Sequence, residues 1–279
     1  MGRLRNITDS RVGKAGSTVR EVMIYSPFGK LLGGTAGHTL YEAGTTQYYD
    51  VGSRYVTGDG RIFRYALAGG TLIPGQGVKS YHEQHIAYAV FPAAAAAGTT
   101  TLSVTVAAHD GSIATHDGTL VENELVGGYI LIFDKTATNM TVFRQILSNT
   151  AVASGGGTTV ITIDDPIPNA LSTSDACECM ASPYLSVVND TDENKAVVGL
   201  PSMVATVGQY LWIQTYGPCW IAPHADVGTG ANVHEAFFNH DGSLGIHGDG
   251  ASLQHAGFVM TRARGGGQGA PFIMLQISI

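Results

Sequence analysis

The sequence predicts an all-β protein: two or three small antiparallel β-barrel or β-sandwich domains preceded by an extended N-terminal arm. Three observations lead there. Short stretches alternate polar with apolar residues at period two, the pattern of half-buried strands. Glycine-centred turn sequences separate those stretches, in a chain with 37 glycines among 279 residues. Helical periodicity is nearly absent.

The chain opens on an arm. Residues 1–30 carry Arg3, Arg5, Arg11, Lys14, Arg20 and Lys30 against Asp9 and Glu21, a net +4, so the other 249 residues carry -11 of the overall -7. A basic segment precedes an acidic body, and dense negative charge on a partner surface is what such a segment can reach. Its aromatics are only Tyr25 and Phe28 and its charges are spaced. Neither base stacking nor a phosphate-tracking stripe is therefore supported, and no direct contact with nucleic acid is expected.

The one helical candidate, Ser80–Val90, is stopped by Pro92, and the five alanines 93–97 are too few to nucleate a helix alone. This stretch reads as a linker or short turn. Thr99–Val106 then alternates cleanly, bounded by Gly98 and Asp110-Gly111. Gly127–Phe133, Thr141–Leu147 and Thr158–Ile163 follow as strands, with Asp117-Gly118, Asn139 and Gly155–Gly157 between them as turns. A compact antiparallel barrel or sandwich accommodates four such strands. Further on, Gln209–Tyr216 is a strand expected to stop at Gly217-Pro218, with Trp220-Ile221 able to resume it, and Phe272–Ile279 is an apolar closing strand that needs a partner in a sheet. The boundaries that result are an extended basic arm at 1–30, an N-terminal β region at 31–85, a barrel or sandwich at 86–186 and a C-terminal β domain at 187–279.

Composition excludes several classes. Charged residues are 13% of the chain against about 25% in an ordinary soluble domain, while 44% are hydrophobic, a balance incompatible with disorder. Mean hydropathy is +0.11. The longest charge-free apolar window, 86–97, contains a proline and falls short of the roughly 18 residues of a membrane helix, so no membrane partner is expected. Met1–Arg20 is polar and basic, unlike a secretory signal, which points to maturation in a cytoplasm. Cys177, Cys179 and Cys219 are then expected as reduced thiols.

Catalytic and cofactor signatures are missing. Cys177-Glu-Cys179 has one intervening residue where zinc sites use two to four. Five histidines, His224, His234, His240, His247 and His255, lie among Asp226, Glu235, Asp241 and Asp249, yet without an HExxH spacing. The triplet His-Asp-Gly occurs at 109–111, 116–118 and 240–242, and its plain reading is a turn in which Asp accepts local N–H groups and Gly takes positive φ. No nucleophile elbow or P-loop occurs, and Gly265–Gly269 lacks the lysine and helix of a phosphate cradle. The expectation is a non-enzyme with no cofactor, no metal and no catalytic residue.

Several phrases have a recognisable vocabulary. They are Gly52-Ser-Arg-Tyr-Val-Thr-Gly-Asp-Gly-Arg-Ile-Phe-Arg-Tyr-Ala-Leu-Ala-Gly-Gly70 with Ile73-Pro-Gly75; Leu125-Val-Gly-Gly-Tyr-Ile130; Phe143–Asn149; Thr162-Ile-Asp-Asp-Pro166; Ala181-Ser-Pro-Tyr184; and Val207-Gly-Gln-Tyr-Leu-Trp-Ile-Gln-Thr-Tyr-Gly-Pro218. Together they resemble structural proteins of tailed bacteriophages. The resemblance implies a virion component of the capsid decoration, or head cement, type: assembled in the host cytoplasm, bound to the outer capsid surface, and stabilising the head through contacts with the major capsid protein and with copies of itself. A trimer would suit capsid three-fold positions. The histidine-rich stretch 224–255 lies outside the resemblance. On this reading Arg3, Arg5, Arg11, Lys14 and Arg20 are the capsid-contact candidates. The alternative is a tail-fibre or host-glycan-binding virion protein using Trp212, Trp220, Tyr210 and Tyr216, although aromatics in strands more often serve the core. A major shell protein is disfavoured because no long amphipathic stretch could form its spine helix.

Overall fold

A computed structural model describes residues 23–26, 31–32, 38–80, 84–112, 115–135, 140–224, 227, 234–246, 254–261 and 272–278. The fold is all-β, and no helix occurs among the described residues. The first strands are β1 (Met23–Tyr25), β2 (Leu31–Leu32), β3 (Arg54–Val56), β4 (Ile62–Leu67) and β5 (Val78–Lys79). Next come β6 (Ile86–Val90), β7 (Thr101–Val106), β8 (Tyr129–Asp134), β9 (Met140–Asn149), β10 (Gly157–Ile163) and β11 (Ala176–Met180). The chain closes with β12 (Val197–Pro201), β13 (Tyr210–Trp220), β14 (Glu235–Phe238), β15 (Leu244–Gly245), β16 (His255–Thr261) and β17 (Phe272–Gln276).

The middle six strands form an antiparallel sheet in the order β6-β11-β8-β9-β10-β7, whose two end strands approach each other, so the sheet is a nearly closed barrel. Alternation explains it directly. Leu102, Val104 and Val106 of β7, Ile130 and Ile132 of β8, and Ile161 and Ile163 of β10 point into one core while their sequence neighbours face outward. Cys177 and Cys179 share that inner face at period two, and both are free, buried thiols. Burial pushes the Cys179 thiol well above its ordinary pKa, keeping it protonated and inert.

The other eleven strands make one sheet along the path β15-β14-β16-β17-β13-β4-β3-β1-β2, with β12 on β13 and β5 on β12. Residues 23–79 and 197–276 thus both supply strands to a single sheet, Met23–Tyr25 of the expected arm among them, and the barrel is inserted between the two in the sequence. The two connections run at 80–85 and 181–188. The returning one lies alongside the body through the bridges Ala68↔Val187 and Lys79↔Val188. A close approach makes this fit: a Cβ on Gly69 would stand 2.3 Å from Ser186 Oγ.

Two local expectations are corrected. Ser80–Val90 is not a linker or turn throughout: Ile86–Val90 is strand β6 on β11, where Ile86 and Ala89 face the barrel core and Tyr88 and Val90 face out. The alanine run carries one isolated bridge, Ala95↔Leu171, and ends in a turn at Ala97-Gly98 closed by the Thr99 N–H on the Ala96 carbonyl, in keeping with a linker there. Second, β13 does not stop at Gly217-Pro218 but continues to Trp220. Pairing with β4 ends at Tyr216↔Ile62, after a register shift, while β17 carries β13 onward through Pro218↔Met274 to Trp220↔Phe272. A proline is tolerated where only one side of the strand is paired. The carbonyls at this irregularity are satisfied by buried Gln214, whose Nε2 reaches those of Tyr216, Gly217 and Pro218 at 3.1, 3.2 and 3.0 Å.

Candidate functional site

The capsid-contact candidates Arg3, Arg5, Arg11, Lys14 and Arg20 lie outside the described residues. The three His-Asp-Gly triplets are turns. Gly111, Gly118 and Gly242 have φ of +98°, +82° and +80°. Asp117 and Asp241 accept the N–H groups of Thr119 and Ser243 at 3.1 and 2.9 Å. Asp110 accepts those of Ala87 and Ala107 at 3.1 and 3.0 Å, which ties the turn to β6. Among the described residues no three His, Cys, Asp or Glu side chains converge to hold a metal ion.

The third triplet serves a buried cation instead. Lys79 on β5 is almost wholly buried, and its Nζ donates to the carbonyls of Asp192, at 2.7 Å, and of His240, while standing 3.6 Å from Asp190 Oδ1. Burial pushes its pKa down and Asp190 opposes the shift. Lys195 completes the cluster with a bond from its Nζ to Asp190. One ammonium thus pins the 190–195 loop and the β14–β15 turn to the sheet.

Three surface features can meet a partner. The first is on the large sheet. Registers Trp220↔Phe272, Pro218↔Met274 and Phe258↔Met274 place these side chains on one face, opposite the core residues Cys219, Ile273 and Leu275. Trp220 is 48% and Phe272 58% exposed, and Phe258 and Met260 are also exposed. Trp220 lies across Gly75, where a Cβ would stand 2.5 Å from Trp220 Cζ3. This holds the indole in place from the Ile73–Gly75 turn.

The second is the outer wall of the barrel. Registers Leu131↔Phe143 and Met180↔Tyr129 gather these side chains on the outward face. Tyr129 stacks on Phe143 at 4.8 Å, and Tyr88 meets Phe133 at 5.6 Å with Lys135 above it. Phe143, Tyr88 and Met180 are exposed. Contiguous apolar surface of this kind on a folded domain marks an interaction site.

The third is a cleft of about 720 Å³ where the barrel meets the large sheet. Its walls carry Asp50, Glu122 and Glu124, while Leu147 and Met180 continue the barrel's apolar wall into it. Among the described residues no Lys or Arg lines it. Asn123 and Ser186 on its rim are non-glycine residues at φ +63° and +61°. His85 is buried in the floor, where its Nδ1 accepts the Ala181 N–H at 3.3 Å and its Nε2 faces Glu124 Oε1 at 3.9 Å. Burial lowers its pKa, against the pull of Glu124, which disfavours the protonated ring.

Sequence reasoning grouped Trp212 with Trp220, and the structure separates them. Trp212 is buried beneath Tyr49, Tyr55 and Tyr65, with ring centroids 5.3, 5.2 and 5.0 Å away, and its Nε1 donates to the His38 carbonyl at 2.9 Å. Tyr210 stacks on Tyr65 at 5.7 Å. Segment 38–55 covers one end of β13 and leaves the other open. The cleft had no sequence signal, since it is assembled from segments 47–51, 121–126 and 180–186 together with scattered residues such as Leu67, His85 and Leu147. Compared with protein-family models, curated proteins and solved structures, the chain matches none.

Proposed function

We propose that this chain is a non-enzymatic adhesion protein of a tailed-phage virion, a capsid decoration or cement protein that binds the outer surface of the assembled head. The observation that carries the reading is the exposed apolar face of Pro218, Trp220, Phe258, Phe272 and Met274, built on paired strands rather than on loops. Aromatics and Met are enriched at the core of protein interfaces, and a low-charge surface lets large interfaces form without burying unpaired ions. The phage-like phrases support the same reading, and one of them, Ile73-Pro-Gly75, is the turn beneath Trp220. The basic arm, through Arg3, Arg5, Arg11, Lys14 and Arg20, supplies electrostatic attraction to an acidic shell. Partners are then the major capsid protein and copies of this chain, on the capsid surface. The test is deletion of residues 2–20 with capsid occupancy measured: reduced occupancy supports the reading, and undiminished occupancy refutes the arm's role in it.

A second reading rests on Trp220 alone. A half-exposed indole beside Phe272 is a surface on which a sugar ring can stack. Glycan-array binding that disappears in Trp220→Ala would favour a host-glycan-binding virion protein.

A further inference from the structure

We propose that the cleft between barrel and large sheet binds an uncharged sugar, one hydroxyl of which sits between His85 and Glu124. This site needs neither the N-terminal arm nor the Trp220 face, so it stands or fails apart from both readings above. His85 is 2% exposed and lines the cleft. Its Nδ1 accepts the Ala181 N–H at 3.3 Å, which leaves the ring proton on Nε2. Among the described residues that Nε2–H has no hydrogen-bond acceptor, since Glu124 Oε1 stands 3.9 Å away. Glu124 is itself oriented: its Oε2 accepts the Val121 N–H at 2.9 Å, which leaves Oε1 to face the histidine. One oxygen about 2.8 Å from each atom satisfies both, provided that it accepts from Nε2–H and donates to the carboxylate. A hydroxyl does both, whereas an ammonium cannot accept and an ionised carboxylate cannot donate. Water can hold such a place, and a ligand hydroxyl that displaces it reproduces both bonds.

The rest of the cleft suits a ligand with several hydroxyls. Asp50 and Glu122 supply further acceptors, and Asn123 and Ser182 can both donate and accept. Tyr210 adds an aromatic ring, fixed by its stack on Tyr65 at 5.7 Å and by its hydroxyl, which donates to Gln47 Oε1 at 3.2 Å. With Leu147 and Met180 it offers apolar surface to the C–H faces of a sugar ring. Three carboxylates, with no Lys or Arg among the described lining residues, disfavour an anionic sugar. The loop that carries Glu122 and Glu124 is held in advance of any ligand: buried Asn149 accepts the Leu125 N–H at 2.8 Å and donates to the Val121 carbonyl at 2.8 Å. The volume of about 720 Å³ lies within the range of sites that take a small ligand, about 300–1,000 Å³.

The experiment is a saturation-transfer NMR titration of the full chain, without capsid. The probes are the methyl glycosides of glucose, galactose and mannose, N-acetylglucosamine and lactose, with spermidine and N-acetylneuraminic acid as cationic and anionic comparisons. The expected result is transfer to at least one neutral sugar, in preference to both charged probes. Glu124→Gln, which sets an amide N–H where the hydroxyl needs an acceptor, should weaken that binding at least tenfold. Leu147→Trp fills the cleft from a half-exposed strand position and should cause the same loss, so it decides the matter if Glu124→Gln does not fold. Trp220→Ala should leave the affinity unchanged, which separates this site from a glycan on the Trp220 face. Transfer to none of the neutral sugars, tighter binding of either charged probe, or binding that survives the folded cleft variants would each overturn the proposal.

Discussion

The Lys79 ammonium and the Asp192 carbonyl oxygen are 2.7 Å apart, joining residues 113 positions apart in the chain. That bond, with its counterpart to the His240 carbonyl, holds the loop after the barrel against the turn between β14 and β15. Removing one partner from a buried charged cluster costs more than the cluster contributes net, because the groups left behind have lost water and gained nothing. Lys79→Met should therefore destabilise the protein by about 3 kcal/mol, read as a lower urea midpoint at unchanged slope. A shift within experimental scatter would remove Lys79 from the account of how the sheet is held.

Stability should fall through His85 as pH drops below 6.5. Burial lowers its folded-state pKa below the ordinary value of 6.5. Above 6.5 the ring is neutral in both states and contributes no slope. As pH drops below 6.5 the unfolded chain takes up a proton that the folded chain refuses, so folding loses free energy until the folded pKa is reached. His38 is shifted the same way by burial, so His85→Gln should shallow the acid limb of a urea-midpoint profile without flattening it. An identical limb in the variant would contradict the assignment.

The two tryptophans should be separable in solution. Trp212 is 1% and Trp220 48% exposed, and the chain has no others. Acrylamide should quench one component of the native emission and spare the other, and Trp220→Phe should remove the quenchable one. Gly75→Ala, at φ +78°, would push a methyl into the indole and should shift the emission of that same component.

All three cysteines should resist a thiol reagent until the chain unfolds. Cys177 and Cys179 line the barrel core, and burial pushes the Cys219 thiol up to about 12. Rapid native labelling of any of them would mean that its strand opens locally.

Strand alternation made the barrel legible. β7 and β10 fall where period two and glycine turns place them, because each has one wet and one dry face, while β8 is legible from its apolar run Gly127–Phe133 and β9 from a weaker alternation over Thr141–Leu147. β13 was harder to bound: from Leu211 to Thr215 both faces are buried, so alternation disappears, and its passage through Gly217-Pro218 depends on β17 and Gln214, which no local pattern announces. β6 read as a linker because Ile86-Ala-Tyr-Ala-Val90 has neither clean alternation nor turn residues, and its strand form comes from β11. The exposed face at Trp220 and the cleft at Glu122 were invisible for a related reason. Whether an aromatic ends in a core or on a surface is decided by what covers its strand, and the covering segment 38–55 lies more than 160 residues from Trp220 in the chain.

The most direct measurement of the proposed decoration role is quantitative mass spectrometry of virions purified from the source of this sequence, comparing the chain with the major capsid protein. The account predicts the chain in fixed proportion to the shell subunit, and a sharply reduced proportion when Trp220→Glu and Phe272→Glu are introduced together into a protein that still folds. Particles that lack the wild-type chain, or that retain the doubly substituted one at full proportion, would contradict it.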